Sequence, residues 1–264
     1  MVITAIDTSE ISLPSLQPDD WPNIVPQFEF YIKSDFCFPV KATINSKIVG
    51  IGAVIVHHEV AWLAHIIVHP NYRRRGIGQE ITQTLVEIAK TKHCSTIYLI
   101  ATELGEPVYK KAGFLVETEY LVHKNVTKKE WIISGNVHPY TDNYREQIVA
   151  LDRDISGENR MVHLEEYFAS GIIYRNGDMI EGYYLPTLGE GLVIAKSEIA
   201  GIELLKLHLT HNERVVVPKE NSVARKFLQE TGVGEVKRIK RMRLGNERKV
   251  QFANIYNRIG GNVG

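Results

Sequence analysis

The stretch Tyr72-Arg73-Arg74-Arg75-Gly76-Ile77-Gly78 decides how this chain is read. Three arginines run into two glycines set one residue apart. Before it, Val60 to Val68 is an apolar run closed by His69-Pro70-Asn71, the pattern of a strand and its stop. After it, Ile77, Ile81, Leu85 and Ile88 recur at helical spacing and share one face. The loop therefore joins a strand to a helix N-terminus, where backbone N–H groups lack intrahelical partners and the helix dipole is positive. Gly76 and Gly78 remove side chains that would keep an anion off that backbone, so the stretch can cradle a phosphate. The competing reading is a solvated basic turn. The stretch is neither a Walker A loop nor a three-glycine dinucleotide fingerprint.

Working outward, Pro39 to Ile44 and Ile48 to Val56 read as a hairpin across Asn45-Ser46-Lys47. Upstream, Asp19-Asp20-Trp21-Pro22 reads as a helix start, and Pro26 interrupts the helix it would open. Downstream, Ile97 to Ala101 is a strand, Glu106 to Lys111 a short helix stopped by Gly113, and Phe114 to Val122 a further strand. A polar stretch from His123 to about Asn143 reads as a domain boundary. Beyond it come helices near Tyr144–Asp152 and Arg160–Ala169, then strands near 172–174, 182–185 and 192–195. A helix over Glu198–Leu209, a strand over Val215–Pro218, a helix over Asn221–Thr231 and a strand over Gly234–Leu244 follow. The order strand, short helix, glycine, strand occurs twice, at Ile100–Gly113 and at Val217–Gly232. The expectation is an α/β (α+β) fold of two similar units, each a mixed, mostly antiparallel twisted sheet flanked by helices. The units are placed at 1–130 and 135–264.

Composition narrows the function. The chain has 264 residues, with 31 Lys+Arg against 31 Asp+Glu. A neutral balance argues against a nucleic-acid-binding protein, although Arg73–Arg75 and the basic run at 236–243 would be its local footholds. The two cysteines, Cys37 and Cys94, form no CxxC pair and read as buried thiols in a reducing compartment, the cytoplasm. The N-terminal residues show no signal-peptide pattern, and the longest apolar run, Ile48 to Val56, is too short to span a bilayer. His65 and His69, four apart on a strand, stand about 13 Å from each other, too far to share a metal. His208 and His211 lack a third ligand, so no metal site is expected.

The run from Trp62 to Lys90, followed by Leu99 to Phe114, resembles the GNAT superfamily of acetyl-CoA-dependent N-acetyltransferases. That superfamily carries [QR]-x-x-G-x-[GA] between a strand and a helix, filled here by Arg73, Gly76 and Gly78. It also carries a Tyr four residues before Gly-Phe, here Tyr109 before Gly113-Phe114. The likeness covers residues 40 to 123. The second half is similar, more loosely, to the C-terminal domain of a two-domain subgroup. Where its phosphate loop would fall, the chain has Leu192 to Gly201 with no such motif, so the second copy is expected to have lost cofactor binding and to shape the acceptor pocket.

The resemblance implies acetyl-CoA as cosubstrate and direct transfer to a small-molecule amine in a ternary complex. It implies that the backbone of Arg74, Arg75, Gly76, Ile77, Gly78 and Gln79 holds the diphosphate, with Arg73 contacting phosphate or pairing with an acid. Ile66, Ile67 and Val68 would pair with the pantetheine arm and polarise the thioester carbonyl. Thr102 would also touch the cofactor, and Tyr109 would donate a proton to the leaving thiolate. The base is open: His65 is the candidate nearest the cradle, where the subgroup carries an apolar residue, often Met; Glu59 and His57 are weaker ones. The alternative is a non-catalytic acyl-CoA sensor. No nucleic acid or membrane is expected as a partner, and the chain is expected to be a monomer or homodimer.

Overall fold

The computed structural model describes residues 1–7, 16–18, 21, 23–124 and 130–264. The chain divides into two units: residues 1–116, 242–247 and 261–263 form the first, and residues 117–241, 248–260 and 264 the second. The boundary was expected at about 130–135; the first unit also takes back two late segments.

In the first unit the elements are β1 (Val2–Ala5), α1 (Val25–Lys33), β2 (Cys37–Ile44), β3 (Lys47–His57), β4 (Val60–Val68), α2 (Ile77–Thr91), β5 (Thr96–Ala101) and α3 (Glu106–Lys111). Asp19, Asp20 and Pro22 lie outside the described residues. Helix α1 starts at Val25 and carries Pro26 in its first turn, where a missing N–H costs nothing. Strands β1 to β4 pair antiparallel in sequence order, and β4 pairs with β5 in parallel. Helix α2 buries Ile77, Ile81, Leu85, Val86 and Ala89 against the sheet. Glycines in β3 let it come that close. A Cβ on Gly50 would lie 2.8 Å from Ile81 Cδ1, and one on Gly52 2.9 Å from Ile81 Cγ2. This close seat fixes the N-terminus of α2 and hence the loop before it.

The second unit holds β6 (Leu115–His123, from Glu117 on), β7 (Val137–Pro139), α4 (Arg145–Ser156), α5 (Met161–Leu164), β8 (Ile172–Asn176), β9 (Met179–Leu185), β10 (Leu192–Ala195), α6 (Glu198–His211), β11 (Val215–Pro218), α7 (Ser222–Glu230), β12 (Glu235–Gly245, up to Arg241) and β13 (Ile255–Asn257). Its five-stranded sheet runs β13-β10-β9-β8-β7, all antiparallel. The element order of the first unit recurs: β8-β9-β10-α6-β11-α7 repeats β2-β3-β4-α2-β5-α3. The repeat extends to how the short helices end. Gly113 (φ 92) and Gly232 (φ 79) both take the left-handed conformation that closes a helix. Phe114 N–H then donates to Tyr109 O, and Val233 N–H to Leu228 O.

Cys37 and Cys94 are buried and unpaired with each other, and burial pushes their thiols up to about 12 and about 11. Among the described residues no helix is long and apolar enough to cross a membrane.

Candidate active site

Residues 70–72 form a short 3₁₀ turn, Arg73 is extended, and Arg74 (φ 61) and Gly76 (φ 82) are left-handed. This kinked path leads into α2, whose N-cap, Gly76, offers no side-chain cap. Gln79 N–H already donates to Gly76 O, and Glu80 N–H shares that acceptor. The N–H groups of Arg74, Arg75, Gly76, Ile77 and Gly78 have no backbone acceptor among the described residues. Nothing lies within 4 Å of a Cβ built on Gly76, so open space borders the turn. Arg73 Nε donates to Val68 O at 3.0 Å, and the Arg75 guanidinium sits 5.2 Å from the Tyr72 ring. Arg73 thus ties the loop to the end of β4 and, among the described residues, pairs with no acid. Uncapped donors, positive dipole and exposed arginines together have the chemistry an anion cradle needs.

The strand that feeds the cradle splays. Parallel pairing of β4 with β5 runs from Val60↔Thr96 to Leu63↔Leu99 and stops. Past that point the β5-facing edge of residues 64–68 has no ladder partner among the described residues. On its other edge β4 stays paired with β3 through a bulge. Ala53 pairs with Ala64 and Ile51 with Ile67, so Gly52 faces both His65 and Ile66. His65 takes φ 49 there, an uncommon conformation for a residue other than glycine. The bulge turns β4 away from β5 and aims the His65 ring at α1.

His65 is enclosed by aromatic rings. Trp21, Phe28 and Tyr31 meet it edge-on at centroid distances of 5.7, 5.9 and 5.7 Å. Its Nδ1 lies 3.0 Å from Tyr31 Oη, and Asn262 Nδ2 donates to that same oxygen at 3.2 Å. Burial lowers the His65 pKa to about 4, so the imidazole is neutral at pH 7. Tyr31 is fully buried, and burial raises its pKa above the ordinary phenol value.

Tyr109 lies on α3 with its side chain against the core, and burial raises its pKa to about 12. It holds its proton at neutral pH, so it can serve as an acid and not as a base. Its ring packs over Gly105, where a Cβ would lie 2.7 Å from Cε2. Thr102 makes the turn into α3: its hydroxyl accepts from Gly105 N–H at 3.2 Å, and its carbonyl accepts from Gly105 and Glu106. His57 is buried in β3, and Glu59 O accepts the Ser95 and Thr96 N–H groups in the turn at the far end of β4. Neither comes to the splay.

The second unit has the same layout with the openings closed. Two residues, Lys196 and Ser197, link β10 to α6. Ser197 caps α6 by accepting from Ala200 N–H at 3.3 Å. Leu228 stands where the first unit has Tyr109, four residues before the terminating glycine. Strand β13 fills the splay. It pairs with β10, the Asn257 side chain accepts from Val216 N–H at 2.7 Å and donates to Glu190 O and Gly191 O at 2.7 Å, and Arg258 N–H donates to Val216 O at 3.3 Å. The Tyr256 ring lies over Gly201, whose Cβ would fall 2.0 Å from it. Sequence reasoning foresaw the missing phosphate loop but not β13, nor the Tyr31–Asn262 contact with His65. The signal available for β13 was the glycine in α6.

Residues 7–114 match the acetyltransferase (GNAT) family. Among curated proteins, a glucosamine 6-phosphate N-acetyltransferase of Trypanosoma brucei brucei is 29% identical over 77 residues, covering 26% of this chain and 52% of that protein. The chain thus spans about half the length of this relative. Among solved structures, a Pyrococcus horikoshii protein superimposes with a TM-score of 0.84 at 22% identity, covering 100% of this chain and 95% of that one. A GCN5-related N-acetyltransferase from Sphaerobacter thermophilus gives 0.63 at 11%, covering 96% and 98%. A tandem GNAT protein from the clavulanic acid biosynthesis pathway gives 0.52 at 13%, covering 81% and 84%. At these identities the likeness is one of fold, and it extends over both units.

Proposed function

We propose that this chain, whose residues 7–114 belong to the acetyltransferase (GNAT) family, transfers an acetyl group from acetyl-CoA to the amine of a small molecule, with both substrates bound at the first unit. The observation that carries this reading is an uncapped, glycine-turned helix N-terminus placed directly after an unpaired strand edge. The two features suit the two parts of one ligand: a diphosphate at the cradle and an amide-bearing arm along the edge, held as an added strand. Acetyl-CoA brings the activated acyl thioester. The N–H groups of residues 74–78 and the arginine side chains hold its charge. Ile66 and Val68, on either side of Ile67, turn their backbone donors and acceptors to the open edge, and an N–H there would polarise the thioester carbonyl. Tyr109, neutral and a donor, would stabilise the departing sulfur. Thr102, in the turn from β5 into α3, would also touch the cofactor.

The small-molecule acceptor is supported by the curated relative, whose name specifies an amino-sugar phosphate. Two buried free thiols accord with a reducing compartment, the cytoplasm. One cofactor per chain follows from the capped, plugged second unit.

The test is release of free thiol from acetyl-CoA across a panel of small amines. Tyr109→Phe should lower turnover by roughly 10²- to 10⁴-fold, the usual contribution of a general acid, while acetyl-CoA affinity stays within a few-fold. No thiol release with any amine, or a Tyr109→Phe protein of undiminished turnover, would sink the assignment of Tyr109 or of the activity.

A further inference from the structure

His65 is the one histidine at the splay, and its protonation pattern is set by its neighbours. The Asn262 amide nitrogen has hydrogens and no usable lone pair, so at 3.2 Å it donates and Tyr31 Oη accepts. Tyr31 has a single O–H, and burial keeps that proton in place. It is left to point at the remaining partner, His65 Nδ1, 3.0 Å away. A neutral imidazole that accepts at Nδ1 carries its hydrogen on Nε2. Neither ring nitrogen then has a lone pair to offer an incoming amine.

We propose that Asn262 and Tyr31 are positioning residues that lock His65 as the Nε2–H tautomer, so that His65 serves the acceptor site as a hydrogen-bond donor and not as the general base. The role in acetyl transfer rests on the activity proposed above; the tautomer does not. The acceptor amine then loses its proton by a route other than His65. The αL bulge at His65 and the three rings around it hold the imidazole in place for this task.

The chain is asymmetric in a useful way, because Asn262 can be made an obligate acceptor without changing its shape. In Asn262→Asp the carboxylate only accepts, so the Tyr31 O–H turns toward it. Tyr31 Oη must then accept from His65, which moves its hydrogen to Nδ1 and frees Nε2. The experiment is long-range proton–nitrogen correlation NMR at neutral pH on protein labelled with ¹⁵N-histidine. His65→Gln identifies the His65 signals by their loss. The expected result is an Nε2–H pattern in the wild type and an Nδ1–H pattern in Asn262→Asp. An Nδ1–H or averaged pattern in the wild type overturns the proposal, as does an unchanged pattern in a folded Asn262→Asp protein. Where Asn262→Asp fails to fold, Tyr31→Phe serves: its His65 should lose the fixed pattern and average, and a retained Nε2–H pattern overturns the role given to Tyr31. A second readout is kinetic. His65→Gln keeps an N–H near the Nε2 position but cannot act as a base, so it should lower turnover less than His65→Ala does; equal losses of roughly 10²- to 10⁴-fold in both, as removing a general base would give, overturn the donor role. Because the NMR test needs no substrate, its failure is separable from failure of the acetyl-transfer reading.

Discussion

Tyr109 depends on a residue with no chemistry of its own. Gly105 has φ −83 and ψ −30, which any amino acid adopts, so an alanine there meets first the Tyr109 ring, at 2.7 Å. Gly105→Ala should displace the phenol and lower turnover, with acetyl-CoA affinity little changed; kinetics beside a binding titration will show this. His65 makes a second claim at this scale. Its unfolded form takes up a proton near pH 6.5, while the folded form does so only near about 4. Between those values the unfolded state binds more protons, so stability falls as the pH drops through that window and is fully present above it. Denaturant unfolding across the pH range should show the decline, and His65→Gln should flatten it. A slope unchanged by the substitution would mean that other buried groups, among them His208 and His123, set the acid limb.

Helix α6 shows two element-scale effects opposing each other. Alanine is favoured over glycine inside a helix by about 1 kcal/mol, so propensity alone makes Gly201→Ala stabilising. The added Cβ would instead meet the Tyr256 ring at 2.0 to 2.4 Å, and that ring is buried. The ring must move, β13 with it, and overpacking of this kind typically costs about 1–3 kcal/mol. The collision is expected to win, giving a lower Tm measured by thermal unfolding. Gly52→Val tests the matching contact in the first unit. Its side chain would be driven into Ile81 and Leu85, lifting α2 from β3 and disturbing the cradle at its N-terminus. A Gly52→Val protein with wild-type stability and cofactor affinity would show that the α2 seat does not position the loop.

At the scale of the whole molecule, what the sequence made readable was local. The Arg73–Gly78 turn, the apolar face of α2 and Tyr109 four residues before Gly113 are patterns within a few turns of chain, and the structure forms each where its residues stand. The repeat of element order was readable for the same reason. The start of α1 carries its signal in Pro26, which sits in the first turn and does not interrupt the helix. The His65 bulge was hidden because β4 is a continuous apolar run with nothing to mark a change of register. Asn257 and Asn262 were hidden because each meets partners far away in sequence, and a lone asparagine near a chain end carries no periodic signal. The consequence is an account in which two similar units yield one cofactor site. The most direct measurement is a calorimetric titration of acetyl-CoA into the wild type and into Gly78→Glu. That glycine has ordinary φ and only a 3.6 Å contact with Val68 Cγ2, so the substitution blocks the cradle without straining the backbone. The account predicts one molecule bound per chain, and binding weakened at least about 100-fold in a Gly78→Glu protein that unfolds like the wild type, the loss of about 2.7 kcal/mol at the cradle. No binding, two molecules per chain, or undiminished binding to Gly78→Glu would contradict it.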